Sequence, residues 1–388
     1  MHSTINIKAL LFFYYSAMTI IISYLPVYFQ NNDLTGSQIG VLLAVGPLAA
    51  MIAQPFWGYM TDKYKTSKKI IIFCLTGTLF SSVLMFQSFH YGLLIFATFV
   101  FFAFMAPVGG LGDSLAQKAA NQLSLSFGSI RMWGSLGFAV MSLAGGFLLT
   151  AIGIQYIYIP FVFFITITLI ISLRIKDIKT SQKSVNIREA LNLFRNKKLI
   201  SFLVVMMFIT VTHRSSDSFL GIYIIERGGK EAFIGWAWFI GVISEALIFA
   251  TSTLWFRRFH ALTFIIVAAF LYSFRWFLMA IIVDPIFVLP LQLMHGLTFG
   301  IFYLSAFHYV TKIVPEQLQS TGHLLFYSFF FGLSGIIGAS IGGQIIEQLS
   351  ASYLYLILSI ISLLGVFFIS GYKFIYYHSR KNRMIKGF

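Results

Sequence analysis

Asp113, Arg131, His213, Arg214, Asp217, Glu245, Arg275 and His295 are ionisable residues set inside long apolar stretches. Their neighbours are almost all Phe, Ile, Leu, Val or Gly. A charge at bilayer depth costs about 2.5–3.5 kcal/mol on insertion scales, so such residues face a protein interior or a water-filled path, usually beside a partner. Three acids (Asp113, Asp217, Glu245) balance three arginines (Arg131, Arg214, Arg275). That set suits passage of a solute, a proton, or both. Asp113 and Arg131 are 18 residues apart around a polar turn at Asn121 and Gln122. Two antiparallel helices joined there place both residues at the same depth, about two turns in from the turn. They can bind each other as a structural pair, or reach a ligand between them through the planar guanidinium fork. His213 and Asp217 (i,i+4) and Arg214 and Asp217 (i,i+3) can each share a helix face. Glu245 lies mid-span. Desolvation disfavours its charge and Arg275 favours it, so it can change protonation with its surroundings or stay in a permanent ion pair.

Positioning such residues requires membrane helices. The 388 residues are 58% hydrophobic and 10% charged, with mean hydropathy +0.86. A soluble domain carries about 25% charged residues. The apolar runs lack the period-2 alternation of a β-barrel. The run at 9–29 is too long for a signal-peptide core and has no small-residue cleavage motif, so it reads as a first span. The expected spans are 7–30, 37–60, 69–89, 92–118, 129–151, 154–174, 199–225, 232–255, 261–283, 286–311, 319–346 and 351–376. The fold class is therefore an all-α polytopic membrane protein with twelve transmembrane helices.

Basic residues follow this topology. They crowd the loop after span 2 (Lys63, Lys65, Lys68, Lys69), the connection after span 6, the loop after span 8 (Arg257, Arg258) and the C-terminal tail. The opposite side carries only Arg227 and Lys230, beside Glu226 and Glu231. The positive-inside rule places both termini in the cytoplasm. The net charge of +15 thus reads as membrane topology and not as nucleic-acid binding. The expected organisation is a six-helix bundle at 1–174, a cytoplasmic connecting loop at 175–198, a second six-helix bundle at 199–377 and a basic tail at 378–388. Within the loop, 187–194 could form a short amphipathic helix on the inner surface. Spans 5 and 11 share a small-residue pattern, GSLGFAVMSLAGG from Gly134 and GLSGIIGASIGG from Gly332, which fits two related halves. The single Cys74 excludes an internal disulfide, and no metal-ligand spacing appears. No P-loop or G-x-S-x-G is present, so neither ATP-driven transport nor hydrolysis is expected. The sequence implies no enzyme and no cofactor.

Residues 58–69, GYMTDKYKTSKK, place Asp62 and Lys63 as an acid–base pair after a glycine. This resembles the signature of the major facilitator superfamily between spans 2 and 3, although the second glycine is replaced by Lys65. The resemblance implies a gating latch for Asp62 and Lys63, beside their topological role. FGSIRMWGSLGF at 127–138 resembles the span-5 entry of the lactose permease and 3-phenylpropionate permease group of proton symporters. SEALIF, LYSFRWF and LQLMHGLTFG continue the likeness. It implies a major facilitator fold of two six-helix bundles, substrate contact at Asp113, Arg131, Phe138 and His213, and proton coupling at Glu245, Arg275 and His295. Thr298 stands where lactose permease has its proton-releasing glutamate. Phe138 replaces its sugar-stacking tryptophan, and Ile248 its sugar-binding amide. Those departures argue against a disaccharide. Tyr14, Phe138 and Trp238 could line an apolar cavity suited to an aromatic carboxylate, a nucleoside or a glycoside.

The expected function is proton-coupled uptake of a small organic solute by alternating access, in the cell membrane and as a monomer. Its partners would be the solute, protons and the lipid bilayer. The alternatives are a proton-driven exporter of drugs or sugars on the same fold and a non-transporting membrane sensor or scaffold.

Overall fold

The computed structural model describes residues 2–88, 90–123, 127–175, 193, 195–256, 260–314 and 319–385. Among them, twelve helices are long and apolar enough to cross a membrane. They are α1 (His2–Asn31), α2 (Gly36–Tyr64), α3 (Ser67–Gln87), α4 (Tyr91–Gln122), α5 (Phe127–Ile152), α6 (Tyr158–Arg174), α7 (Lys197–Glu226), α8 (Glu231–Trp255), α9 (Ala261–Ile281), α10 (Pro285–Ile313), α11 and α12 (Ala351–Ile385). Helix α11 runs as Gln319–Tyr327, a π-helical stretch at Ser328–Leu333, and Ser334–Gln348. No strand occurs among the described residues. The suggested helix at 187–194 lies outside them, apart from Leu193.

Local chemistry sets the helix starts. Thr35 and Gln38 form a capping box ahead of α2: the Thr35 amide donates to Gln38 Oε1 (2.9 Å) and the Gln38 amide to Thr35 Oγ1 (3.4 Å). Asn196 Oδ1 accepts from the Lys198 and Leu199 amides, both at 3.1 Å, and opens α7. Gly228, at φ +81°, closes α7 in the left-handed conformation, with its amide on the Ile225 carbonyl and that of Gly229 on Ile224.

The chain forms two compact units. The first comprises Met1–Lys183, Ser218–Phe239 and Ala339–Glu347. Here α1 packs on α4, α5 and α6, while α4 packs on α2 and α3. Small residues let backbones meet where side chains would not fit. A Cβ on Gly137 of α5 would collide with the Phe12 carbonyl of α1, and one on Gly36 would lie 2.6 Å from the Gly343 carbonyl. The Ser37 amide donates to Glu347 Oε2 at 2.7 Å beside that second contact.

The second unit comprises Ser184–Asp217, Ile240–Gly338 and Gln348–Phe388. Its α9 packs on α10 and α12. Buried hydroxyls join helices across the unit: Thr212 of α7 with Ser362 of α12, Thr210 of α7 with Ser334 of α11, and Ser273 of α9 with Ser359 of α12. Large apolar side chains such as Phe80, Leu254, Phe270 and Phe367 point outward. That distribution suits a hydrocarbon solvent. An apolar groove between α5 and α6, lined by Leu148, Tyr156, Ile159 and Phe163, has almost no polar surface.

Candidate functional site

In the first unit the structure joins Asp113 and Arg131. Arg131 Nε lies 2.9 Å from Asp113 Oδ1, with both side chains about one-third exposed. The guanidinium also stacks over the Tyr15 ring, 4.2 Å from its centroid. Gly134, one turn beyond Arg131, leaves the room: a Cβ there would meet the Tyr15 ring and Arg131 Nη1. Arg131 is thus held on one side by a carboxylate and on one face by an aromatic ring.

Tyr14 does not line this site. Its ring is buried and its hydroxyl donates to the Met105 carbonyl at 2.9 Å, so it fastens α1 to α4. Neighbouring residues on a helix point about 100° apart, and Tyr15 is the one turned toward Arg131. Two turns further along α5, Phe138 meets Trp238 edge-on at 5.9 Å. The buried Trp238 Nε1 has no acceptor among the described residues. Lys63 is exposed at the end of α2, with its ammonium 5.6 Å from the Tyr64 ring. The Asp62 side chain lies outside the described residues.

The second unit gathers the other charges. His295 Nε2 stands 3.6 Å from Glu245 Oε2, and His213 Nε2 stands 3.4 Å from Asp217 Oδ2. Arg214 Nη1 donates to the same Asp217 oxygen at 2.9 Å. The rings of His213 and His295 are 5.6 Å apart, and Phe299 stacks on His213 at 4.7 Å with only 13° between the planes. All these residues come to one place, which gives Asp217 and Arg214 the neighbourhood that i,i+3 spacing alone left open.

Arg275 makes the other departure. It is 2% exposed, yet among the described residues no carboxylate contacts its guanidinium. Nη2 donates to Gln292 Oε1 at 2.6 Å, Nη1 donates to Thr298 Oγ1 at 3.2 Å, and the cation lies over Trp276 at 4.8 Å. Glu245 pairs with His295 and not with Arg275. α10 passes through a π-helical turn at Gly296–Gly300, directly after His295. Such a turn inserts an extra residue, is frequent at functional sites, and re-aims the side chains around it. Here Thr298 meets Arg275 and Phe299 meets His213. The π-helical stretch of α11 carries Phe330, which packs on both His213 and Phe299. Ser244 fixes the register of α8 on α10: the Gly296 amide donates to Ser244 Oγ at 2.9 Å. Gln292 and Tyr15 were not singled out by sequence. A glutamine in an apolar span was the available signal for the first, and nothing distinguished the second from its neighbour.

Twelve apolar spans carrying paired charges and imidazoles define a polytopic membrane protein. The chain belongs to the MFS_1 like family, a major facilitator group, whose model matches residues 4–357. It is 27% identical over 361 residues to the maltose permease of Geobacillus stearothermophilus, covering 92% of this chain and 90% of that protein. It is 25% identical over 311 residues to the "Probable 3-phenylpropionic acid transporter" of Escherichia coli K12, covering 77% and 80% respectively. The fold matches the crystal structure of the nucleoside transporter NupG with a TM-score of 0.85 at 17% identity, over 96% of this chain and 99% of that one. The protein is a multi-pass membrane transporter of the lactose permease group and not an enzyme.

Proposed function

We propose that this protein takes up a small organic solute together with protons, by alternating access. The carboxylate–imidazole contact of Glu245 and His295 inside an apolar bundle carries the reading. An ionised carboxylate beside a neutral imidazole carries a net negative charge that bilayer-depth surroundings tolerate poorly, and a proton bound by the pair removes it, so loading and release of that proton follow changes in the pair's surroundings. Each proton entering across 100 mV, inside negative, contributes about 2.3 kcal/mol. Arg131, Asp113 and Tyr15, with Phe138 and the free indole donor of Trp238, are the substrate contacts. A guanidinium, an aromatic face and a neutral donor suit a nucleoside, a glycoside or an aromatic carboxylate. The names of the maltose, phenylpropionic acid and nucleoside carriers span the same three classes. The basic loops face the cytoplasm, the membrane is the plasma membrane, Asp62 and Lys63 serve as a gating pair, and one chain suffices.

The test uses purified protein in liposomes with radiolabelled maltose, uridine and 3-phenylpropionate. An inward pH gradient should drive accumulation of one probe and alkalinise the outer medium. Glu245→Gln should lose uphill accumulation while solute exchange persists. Undiminished uphill uptake in that variant would remove Glu245 from coupling.

A further inference from the structure

Proton coupling leaves Asp217 and His213 unexplained, although the structure ties both to the coupling group. Four titratable side chains from three helices stand in sequence. Glu245 (α8) is 3.6 Å from His295 (α10), whose ring is 5.6 Å from that of His213 (α7), which is 3.4 Å from Asp217. Each imidazole presents Nε2 to its own carboxylate. Nδ1 of His213 is buried and has no partner. His213 is 3% and His295 9% exposed. Phe299 and Phe330 cover the His213 ring.

We propose that Glu245, His295, His213 and Asp217 form one proton relay, with Asp217 as a second carboxylate that carries the transported proton. This rests on the proton-coupled reading above. In one transfer the carboxylic acid of Asp217 gives its proton to His213 Nε2. His213 releases a proton from Nδ1, through one bridging water, to Nδ1 of His295. His295 releases its Nε2 proton to the Glu245 carboxylate. Asp217 ends ionised, Glu245 ends protonated, and both imidazoles end neutral with exchanged tautomers. Rotation of the rings resets them.

The helix positions give the relay a direction. Asp217 lies nine residues before the end of α7, and Glu245 lies fourteen residues after the start of α8. At 1.5 Å per residue, Asp217 is about 7 Å closer to its end of the hairpin than Glu245 is. The relay therefore moves charge along the helix axes and not only across the bundle. The charges around it come from every packed element. Arg214 sits beside Asp217 on α7, Arg275 and the Tyr272 hydroxyl come from α9, and α11 contributes Phe330 and Phe331, the latter under Arg214 at 5.7 Å. Arg275, lacking a carboxylate of its own, bears on Asp217 together with Arg214 and His295. Both carboxylates ionised balance the two arginines, and one added proton gives the cluster a net positive charge.

The experiment compares Asp217→Asn, Asp217→Glu and the charge-balanced Arg214→Gln/Asp217→Asn variant in liposomes. The probe is whichever of maltose, uridine or 3-phenylpropionate the unaltered protein accumulates under a pH gradient. Asp217→Asn should abolish accumulation above equilibrium while retaining equilibrium exchange, and Asp217→Glu should restore part of it. The double variant separates the roles. It removes the ion pair without leaving an unpaired arginine, so a structural Asp217 predicts recovered uphill uptake, and a proton-carrying Asp217 predicts none. Uphill uptake in Asp217→Asn or in the double variant overturns the relay and leaves proton coupling standing. If the unaltered protein accumulates none of the three probes with protons, the functional reading fails and the relay with it.

Discussion

Arg131→Lys separates a substrate-binding arginine from a structural one, because lysine keeps the charge and loses the geometry. The guanidinium makes an ion pair through Nε at 2.9 Å and stacks over Tyr15 at 4.2 Å. A charge-assisted hydrogen bond contributes about 1.5–3 kcal/mol. A partly exposed cation–π contact adds about 0.5–1 kcal/mol. Both Arg131 and Asp113 are about one-third exposed, so solvent screening favours the lower half of each range. If the solute takes over these contacts, the substitution costs about 2–3 kcal/mol of binding, which is roughly a 30- to 150-fold weaker Kd. The assay is calorimetric titration in detergent with the ligand selected by thermal shift among maltose, uridine and 3-phenylpropionate. Thermal unfolding without ligand is measured alongside. A lower melting temperature with unchanged Kd would refute the reasoning and return Asp113 and Arg131 to a purely structural pair.

Gly36→Ala should destabilise the first unit by about 1–3 kcal/mol through overpacking, because the added Cβ would lie 2.6 Å from the Gly343 carbonyl; detergent-solubilised thermal unfolding checks it. Gln292→Leu removes the Nη2 acceptor of a buried guanidinium and should cost about 1.5–3 kcal/mol, whereas Gln292→Glu should retain stability by giving Arg275 a counter-charge. His260, which precedes α9, accepts from the Leu262 amide through Nδ1, and burial, with help from Lys312, Lys373 and Lys198, holds its pKa below the usual value. A depressed histidine stabilises the fold above its unfolded pKa of about 6.5 and loses that contribution as pH falls through its folded value. Melting temperature should therefore drop on acidification below pH about 6.5, and His260→Asn, which can still cap the helix, should remove that component.

The spans were legible because hydropathy records bilayer thickness, and their number and order match the described helices. Their ends were less so. α4 runs on to Gln122 and α12 to Ile385, past the expected 118 and 376, because a helix continues beyond the hydrocarbon once its backbone is hydrogen-bonded. The Asp113–Arg131 pair could be read because a tight antiparallel hairpin makes equal distances from the turn equal depths. Arg275 could not be paired correctly. Its partners are the neutral Gln292, Thr298 and Trp276, and a count of opposite charges in the sequence has no term for a guanidinium held by neutral groups. The Tyr14 and Tyr15 roles were undecidable for a simpler reason: identical neighbouring side chains in a uniformly apolar helix carry no facing signal.

The two charge clusters solve the burial problem in opposite ways, and the difference bears on what each can do. Asp113 and Arg131 retain partial exposure and satisfy each other at the surface of a site. A ligand can replace either partner without leaving a charge unpaired in a dry interior, which is the condition for reversible solute binding. In the second unit Arg275 is buried and held by neutral groups alone, through Gln292, Thr298 and Trp276. Breaking that arrangement would leave an uncompensated cation, so Arg275 is a fixed positive charge. In the proton-coupled reading proposed above, Glu245 and Asp217, each contacting an imidazole, are the groups whose charge changes. On the proposed reading, solute exchange and proton movement need different kinds of burial, and each unit offers one of them.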